Sequence, residues 1–150
     1  MKTISLLALT GLLGLAAAAP AVGQETTITP GWWQSTNKAS MIISKTEVEQ
    51  RCITPADVEK ILAGRINRHY TCTYPEKRVG GGKMFFKGTC VDKRGRKVNI
   101  TATGTYSANA FQLSADLSGK YGGIPLAASM STTAHRLGDT CQGKPVKIKG

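Results

Sequence analysis

Three consecutive segments between residues 98 and 135 alternate apolar and polar side chains, and this period of two constrains the fold more than any other feature of the chain. The apolar sets are Val98, Ile100, Ala102, Gly104 and Tyr106, then Phe111, Leu113, Ala115 and Leu117, then Ile124, Leu126, Ala128, Met130 and Ala134. Alternation gives a strand one packed and one solvated face, whereas buried parallel strands show continuous apolar runs. The pattern therefore predicts an antiparallel sheet with one solvent-exposed face.

The connections between these segments are short and rich in turn residues, at positions 107–109 and 119–123. Short connections of this kind join neighbouring strands as hairpins, which makes the three segments a meander. Upstream, residues 70–74 and 84–90 flank a loop that holds three glycines in a row at positions 80–82. This arrangement predicts a further hairpin, centred on Gly81.

The chain has four cysteines, Cys52, Cys72, Cys90 and Cys141. A hairpin centred on Gly81 sets Cys72 opposite Cys90, which predicts a disulfide across the two strands and leaves Cys52 to pair with Cys141. Three connectivities are possible in principle. A structural zinc site is the alternative, but the cysteines lack the close CxxC spacing that such sites use. We therefore expect two disulfides and no metal.

A helix is well marked by its two ends. Thr54 is a suitable N-cap, Pro55 suits the first helical position, and Gly64 is a stop signal. Asp57 occupies the third position, and the apolar stripe consists of Val58, Ile61 and Leu62. Because a sheet with one apolar face needs a cover, we expect an α+β fold, mainly β, in which a curved antiparallel meander sheet packs on this short helix.

The segment before the helix also has strand character. We expect residues 31–36 and 41–43 to form the first strand or strand pair. Trp32 and Trp33 would point to opposite faces of an extended chain. One of them is expected in the core and the other as a surface anchor.

The chain begins with the features of an export signal. Lys2 precedes a run without charge over residues 4–19, and small residues follow that run. These features predict a secretory signal peptide over residues 1–23, cleaved after Ala21 or Gly23. An uncleaved transmembrane anchor is the alternative, which is disfavoured because the run is shorter than the roughly 20 residues of a membrane span and contains glycines.

The rest of the chain, residues 24–150, has the usual size of one domain. We expect a single β-rich domain without a transmembrane span in its mature form. An even number of cysteines in an exported chain agrees with two disulfides, because disulfides persist in oxidising compartments.

Several short motifs occur together in this order. They are Pro30-Gly31-x-Trp33, Cys52-Ile53-Thr54-Pro55 at the start of the helix, two cysteine-bearing strands, a Thr/Gly-rich meander, and Arg136-Leu137-Gly138-x-x-Cys141. Together they resemble a bacterial family of small exported proteins known as domain of unknown function 3617. The end of the last motif departs from the family, whose members often have Gly-Pro-Cys where this chain has Asp139-Thr140-Cys141. The resemblance implies a β-rich fold in the bacterial envelope, periplasmic or secreted, and supplies no activity or catalytic residue.

Catalytic signatures are missing from the sequence. It contains no HExxH, GxSxG or paired-carboxylate motif, and its two histidines, His69 and His135, are predicted on wet strand faces. The glycines before Lys83 resemble a phosphate-binding loop only superficially, because Met84 stands where Ser or Thr would bind magnesium. We expect no enzymatic activity and no cofactor.

Positive charge is concentrated in the middle of the chain. Of a formal net charge of +11, residues 60–97 contribute eleven basic side chains against Glu76 and Asp92, a net of about +9. The basic ones are Lys60, Arg65, Arg68, Lys77, Arg78, Lys83, Lys87, Lys93, Arg94, Arg96 and Lys97. Such a cluster creates a positive potential that collects anions. A solubilising surface that blunts strand edges is the alternative interpretation.

These observations lead to three hypotheses of function. The first is a non-enzymatic envelope module whose basic hairpin contacts anionic lipid or polysaccharide, with six candidate residues: Lys83, Lys87, Lys93, Arg94, Arg96 and Lys97. The second is a carrier that holds a small apolar ligand on the concave face of the sheet. The third is a hydrolase whose site is not visible in one sequence. Nucleic acid is not expected as a partner, because only Phe85 is interleaved with the basic residues and the compartment is wrong.

Overall fold

The computed structural model describes residues 27–65 and 69–148 of the chain. The predicted signal peptide, residues 1–23, lies outside the described residues. Within the described ranges, no helix has the length and apolar character needed to cross a membrane.

The described residues form eight strands and one helix. In chain order they are β1 (Gly31–Ser40), β2 (Ser44–Ile53), α1 (Pro55–Leu62), β3 (Tyr70–Gly80), β4 (Lys83–Asp92), β5 (Lys97–Tyr106), β6 (Ala110–Tyr121), β7 (Ile124–Gly138) and β8 (Val146–Ile148). All strands belong to one open, curled, antiparallel sheet in the order β3-β4-β5-β6-β7-β1-β2-β8. The predicted meander corresponds to β5, β6 and β7, and the predicted hairpin centred on Gly81 corresponds to β3 and β4. The β1–β2 hairpin extends the sheet beyond β7.

The alternation of apolar and polar residues in the sequence corresponds to the two faces of the sheet. Apolar side chains lie on the buried face and polar ones on the exposed face. Phe111 of β6 pairs with Ala134 of β7, and both are buried. The intervening residues, such as Gln112 and Thr133, pair with each other and are exposed. The core therefore lies on one face of the sheet, the concave face, and includes residues of β1, β2 and β4 as well as of β5, β6 and β7.

Helix α1 covers part of this concave face, as the sequence predicts. Thr54 and Asp57 form a capping box, in which the Thr54 hydroxyl accepts from the Asp57 backbone amide. Val58 and Ile61 of the helix are buried in the core. At the C-terminal end of the helix, the Tyr74 hydroxyl donates to the carbonyl oxygen of Gly64 at 2.9 Å. The helix is thereby fixed between β2, which precedes it, and β3.

Both predicted disulfides are present. Cys72 and Cys90 are directly paired across β3 and β4, and Cys52 of β2 bonds to Cys141. The second bond ties the segment between β7 and β8 to β2. Disulfides are typical of chains that fold in an oxidising compartment.

The structure corrects the predictions for the first strands. Residues 41–43 are not a strand but the exposed turn between β1 and β2, and β2 begins only at Ser44. The prediction that Trp32 or Trp33 anchors the surface is wrong, because their exposed fractions are 4% and 1%. Trp33 joins the main core, while Trp32 is opposite Cys52 in the sheet.

The break predicted at residues 119–123 is narrower in the structure. Strand β6 continues through Gly119 to Tyr121, and the turn consists of Gly122 and Gly123. Both turn glycines have the left-handed φ angles that glycine adopts without strain, +56° and +85°. Gly119 remains in the ladder opposite Val98 and Leu126.

Candidate functional site

A cavity of about 330 Å³ opens on the concave face, between α1 and strands β1, β2, β6 and β7. Its apolar lining consists of Trp33, Ala39, Ile53, Ile61, Phe111, Leu113 and Met130. Trp33 and Phe111 form an aromatic pair, with ring centroids 5.6 Å apart. The volume and the apolar lining are those of sites that take small organic ligands.

A second cavity, of about 420 Å³, lies on the same face where β3 and β4 meet the end of α1. It is lined by Gly64, Arg65, Tyr70, Thr71, Cys72, Tyr74, Cys90, Ile100, Ala115, Leu117 and Met130. Met130 of β7 therefore lines both cavities. The two cavities are therefore neighbours on the concave face, and together they are called the trough below.

The wall that β2 contributes to the first cavity carries charge. Four alternate residues of this strand line it, and they are Lys45, Glu47, Glu49 and Arg51. Because alternate residues of a strand share a face, all four charged side chains turn toward the concave side. An inward charged strand beside the short edge strand β8 also protects a sheet against pairing with other chains.

These charges are paired with one another. The Lys45 ammonium lies 2.7 Å from a carboxylate oxygen of Glu47, and Lys147 of β8 lies 3.7 Å from the same oxygen. The hydrogen bond from Lys45, helped by the charge of Lys147, holds the pKa of Glu47 below its ordinary value. Arg51 lies 3.8 Å from Glu49. At neutral pH the wall therefore offers both signs of charge at the edge of an apolar space.

Uncharged polar groups sit between the charged wall and the apolar floor. The Thr132 hydroxyl donates to the side-chain oxygen of Asn37 at 2.8 Å, across the β1–β7 pairing. Ser35, on the same strand as Asn37, is 8% exposed. A ligand in this cavity would meet hydroxyl and amide groups of β1 and β7 as well as hydrocarbon.

The structure does not bring the six predicted anion-binding residues into one site. Lys83 starts β4 beside the β3–β4 turn, whereas Lys93 follows Asp92 at the other end of the same strand. Lys87 on the outer face makes an ion pair of 3.1 Å with Glu76. Lys83, Phe85 and Lys87 share the outer face of β4, because Met84 and Phe86 between them are the buried residues.

The basic turn between β4 and β5 is built around Asp92. One carboxylate oxygen of Asp92 accepts from the backbone amides of Arg94 and Arg96, each at 2.9 Å, and the other lies 2.6 Å from the Arg96 guanidinium. Partial desolvation opposes ionisation of this carboxyl, but these hydrogen bonds outweigh it and lower the pKa of Asp92. Arg96 is thus held by Asp92, while Lys93, Arg94 and Lys97 are exposed.

Arg78, which is not among the six predicted anion-binding residues, has a defined position on the outer face. The guanidinium carbon of Arg78 lies 4.3 Å from the centroid of the Phe85 ring, across the β3–β4 pairing. Stacking on an aromatic ring leaves an arginine its hydrogen-bond donors. Lys77, the residue before Arg78, faces the opposite side of the sheet, and its ammonium lies 5.9 Å from the centroid of the Phe86 ring.

The two histidines lie away from the trough. His69 and His135 are both exposed, and neither belongs to the described lining of the two cavities. Among residues 27–65 and 69–148, no three His, Cys, Asp or Glu side chains are grouped as a metal site would need.

Residues 28–141 match a protein family whose description is "Protein of unknown function (DUF3617)". The chain belongs to this family. No curated protein matches the chain. The matched range of this DUF3617 member includes every strand from β1 to β7, the helix and all four cysteines.

Two of the motifs that mark this DUF3617 member hold the ends of β1 and β7 together. Arg136 donates two hydrogen bonds to the carbonyl oxygen of Pro30, at 3.0 and 2.8 Å, and contacts Asp139. A Cβ atom at Gly31 would lie 2.4 Å from the carbonyl oxygen of Gly138. Glycine is therefore required at position 31 by close backbone approach, and these motif residues have a structural role.

Sequence reasoning missed the charged wall and most of the cavity lining. The sequence of strand β2 is largely polar on both faces, because its inward residues are charged and its outward residues include Thr46 and Gln50. No apolar period marks it as a strand. The spacing of charged residues at every second position was the available signal, and only the curl of the sheet shows that they face a cavity.

Proposed function

We propose that this DUF3617 member is a non-enzymatic binding protein that holds the apolar part of a small amphipathic ligand on the concave face of its sheet. The observation that carries the proposal is the pair of cavities of about 330 and 420 Å³ that share Met130. A ligand with a hydrocarbon part would contact Trp33, Phe111 and Leu113. Its polar end would lie near the charged residues of β2.

The cellular location belongs to the same proposal. The two disulfides support folding in an oxidising compartment. With the export signal predicted at residues 1–23, we place the mature chain in the bacterial periplasm or outside the cell. A carrier in that compartment would move molecules that partition poorly into water.

A fluorescence titration with the neutral apolar probe 1-N-phenylnaphthylamine tests the proposal. The mature chain from residue 24 should give a saturable rise in probe emission. Met130→Trp places a large ring between the two cavities and should weaken probe binding at least tenfold. The matched control is Thr133→Trp, which puts the same ring on the exposed outer face of β7.

Two results would overturn the proposal. One is the lack of any saturable emission with the wild-type chain. The other is equal affinity of the wild-type and Met130→Trp chains when both are folded by circular dichroism. Native mass spectrometry of the chain purified without detergent provides an independent check, since a retained ligand adds a discrete mass.

Contact of the basic residues with anionic envelope components is a second candidate function. It is favoured by the turn at residues 92–96, where Asp92 fixes the backbone while Lys93, Arg94 and Lys97 are exposed. Replacing these three cations with Glu, and leaving Arg96 to hold the turn, should abolish binding to anionic vesicles. Unchanged binding of this triple variant would refute the role of the turn.

A further inference from the structure

The most exposed large apolar side chains of the described residues lie in two hairpin turns. Residues Met41, Ile42 and Ile43 of the β1–β2 turn are 55%, 94% and 82% exposed, and Ile124 after the β6–β7 turn is 71% exposed. Single exposed apolar residues are ordinary, whereas three exposed apolar residues in a row are typical of an interaction surface. Nothing in the packing of the sheet requires isoleucine at the tip of a turn.

Both turns lie at one end of the sheet, together with the basic turn at residues 92–96. In an antiparallel sheet, successive hairpin turns alternate between the two ends. The β1–β2, β4–β5 and β6–β7 turns therefore share one end, and the β3–β4 and β5–β6 turns share the other. We call the first of these the apolar-basic end.

The strand order sets the spacing along this end. The β6–β7 turn lies between the other two, and each neighbour is two strand positions away, or roughly 10 Å along the curve of the sheet. Ser40 pairs with Ser129, so residues 124–128 of β7 extend past the β1–β2 turn along the strand direction. Met41 lines a shared cavity with Ala127 and Ala128, so the β1–β2 turn itself reaches along these residues toward Ile124.

Charge at this end has one prevailing sign. Lys93, Arg94 and Lys97 are exposed on the basic turn, and Lys120 is exposed where β6 reaches the β6–β7 turn. The acidic residue of the basic turn, Asp92, is occupied by Arg96 and two backbone amides. Cations beside protruding apolar side chains match the two layers of an anionic bilayer, which are charged head groups above hydrocarbon.

We propose that the apolar-basic end docks on an anionic phospholipid bilayer, with residues 41–43 and Ile124 inserted and the basic turn on the head groups. This inference rests on the second candidate function and names its partner. The first cavity includes Ala39 and Lys45, which flank the β1–β2 turn. Docking at this end therefore brings the cavity next to the membrane, where an amphipathic ligand is available.

Co-sedimentation with vesicles of phosphatidylglycerol and phosphatidylethanolamine tests the proposal with the mature chain. Ile42→Ser with Ile43→Ser should weaken binding at least tenfold, with the remaining binding abolished by salt. The matched control is Leu137→Ser, which removes a side chain that is 46% exposed at the opposite end of the sheet. Lys93→Glu with Arg94→Glu should also weaken binding, whereas Lys83→Glu beside the β3–β4 turn should have little effect.

The possible outcomes distinguish insertion into a bilayer from the second candidate function, which is contact of the basic residues with anionic components. Loss of binding in Lys93→Glu/Arg94→Glu but full binding in the double isoleucine variant leaves anion contact standing and overturns insertion. Equal binding of the wild-type chain to phosphatidylcholine vesicles overturns the preference for anionic lipid, and no binding to either vesicle overturns the whole proposal. A surface variant, Ile42→Trp, gives a second readout, because its emission should shift to the blue when anionic vesicles are added.

Discussion

The ammonium of Lys45 and the carboxylate of Glu47 lie 2.7 Å apart on the wall of the first cavity. Lys147 approaches the same carboxylate at 3.7 Å. One carboxylate thus compensates only part of the charge of two ammonium groups at the edge of an apolar space. The ligand that this wall accepts depends on that balance, because an uncompensated charge beside hydrocarbon attracts an opposite charge.

Replacing this carboxylate should change the preference of the cavity. In Glu47→Gln the side chains of Lys45 and Lys147 lose their shared partner, and the wall becomes more cationic by one charge. We expect affinity for dodecanoate at pH 7.4 to rise about two- to fivefold, the range that partly exposed ion pairs produce, while affinity for the neutral probe stays constant. Competition between the two ligands measures both affinities.

The control for this prediction is Glu59→Gln, which removes the same charge from an exposed position of α1. Equal changes in the two variants would mean that net charge acts at long range. A parallel change in neutral and anionic affinity in Glu47→Gln would mean that the substitution alters the shape of the cavity.

The capping box of α1 should contribute measurably to stability. Thr54→Ala removes the hydroxyl that accepts from the Asp57 amide at 3.3 Å, and we expect a loss of about 1 kcal/mol in the free energy of unfolding. Thr54→Ser keeps the hydroxyl and should lose much less. Urea unfolding followed by circular dichroism distinguishes the two variants, and an equal loss in both would contradict the assigned role of the hydroxyl.

The same box predicts a pH dependence. The hydrogen bond from the Thr54 hydroxyl and then that from its backbone amide lower the pKa of Asp57 below 3.8, despite partial desolvation. A carboxyl with a lowered folded-state pKa stabilises the fold above its unfolded-state pKa and ceases to do so as pH falls through the folded value. Asp57→Asn should therefore lose less stability than the wild type between pH 5 and pH 2, as measured by urea unfolding.

The sheet was largely predictable because β5, β6 and β7 have one wet and one packed face. Apolar residues such as Ile100 and Leu113 recur at every second position, and tertiary packing reinforces that local pattern. The disulfide pairing followed from the β3–β4 hairpin, since glycines at its turn set Cys72 opposite Cys90. Local chemistry and global fold agree in these regions.

The site was not predictable in the same way. Strand β2 faces an open trough instead of a packed core, so its inward residues Glu47 and Arg51 are charged and give no hydrophobic period. The apolar residues 41–43 were predicted to belong to the first strand or strand pair, yet they form a turn in which Ile42 is 94% exposed. Departures from the rule that apolar side chains face inward occur where we propose binding.

Gly88 of β4 should be intolerant of a side chain. The register of β3 against β4 shifts between Thr73 and Glu76, and this irregularity brings the Thr73 carbonyl oxygen to 1.9 Å from where a Cβ of Gly88 would lie. Gly88→Ala forces the backbone of β3 to move, and we expect a loss of about 2–3 kcal/mol. Gly138→Ala is the control, because nothing lies within 4 Å of its Cβ position. Thermal unfolding of both variants measures the difference in stability. Comparable melting temperatures would show that the backbone of β3 at the register shift moves aside at little cost.

The two disulfides should differ in their contributions to stability. Cys52 and Cys141 are separated by 89 residues, and Cys72 and Cys90 by 18. In the chain-entropy account, a bond that closes a longer loop restricts the unfolded chain more, with roughly 4–5 kcal/mol expected for the longer loop and about 3 kcal/mol for the shorter one. Alanine pairs at each bond, compared by urea unfolding, measure these contributions.

Hydrogen exchange gives a local readout of the segment that each bond holds in place. Cys72 and Cys90 join strands that are already paired, whereas Cys52–Cys141 anchors the segment that leads from β7 to the short strand β8. Without the longer bond, hydrogen exchange should accelerate in β8 while the β3–β4 ladder keeps its relative protection. If the Cys72–Cys90 pair proves the more costly to remove, packing of this bond in the folded sheet outweighs loop entropy, and the native state sets the order of the two contributions.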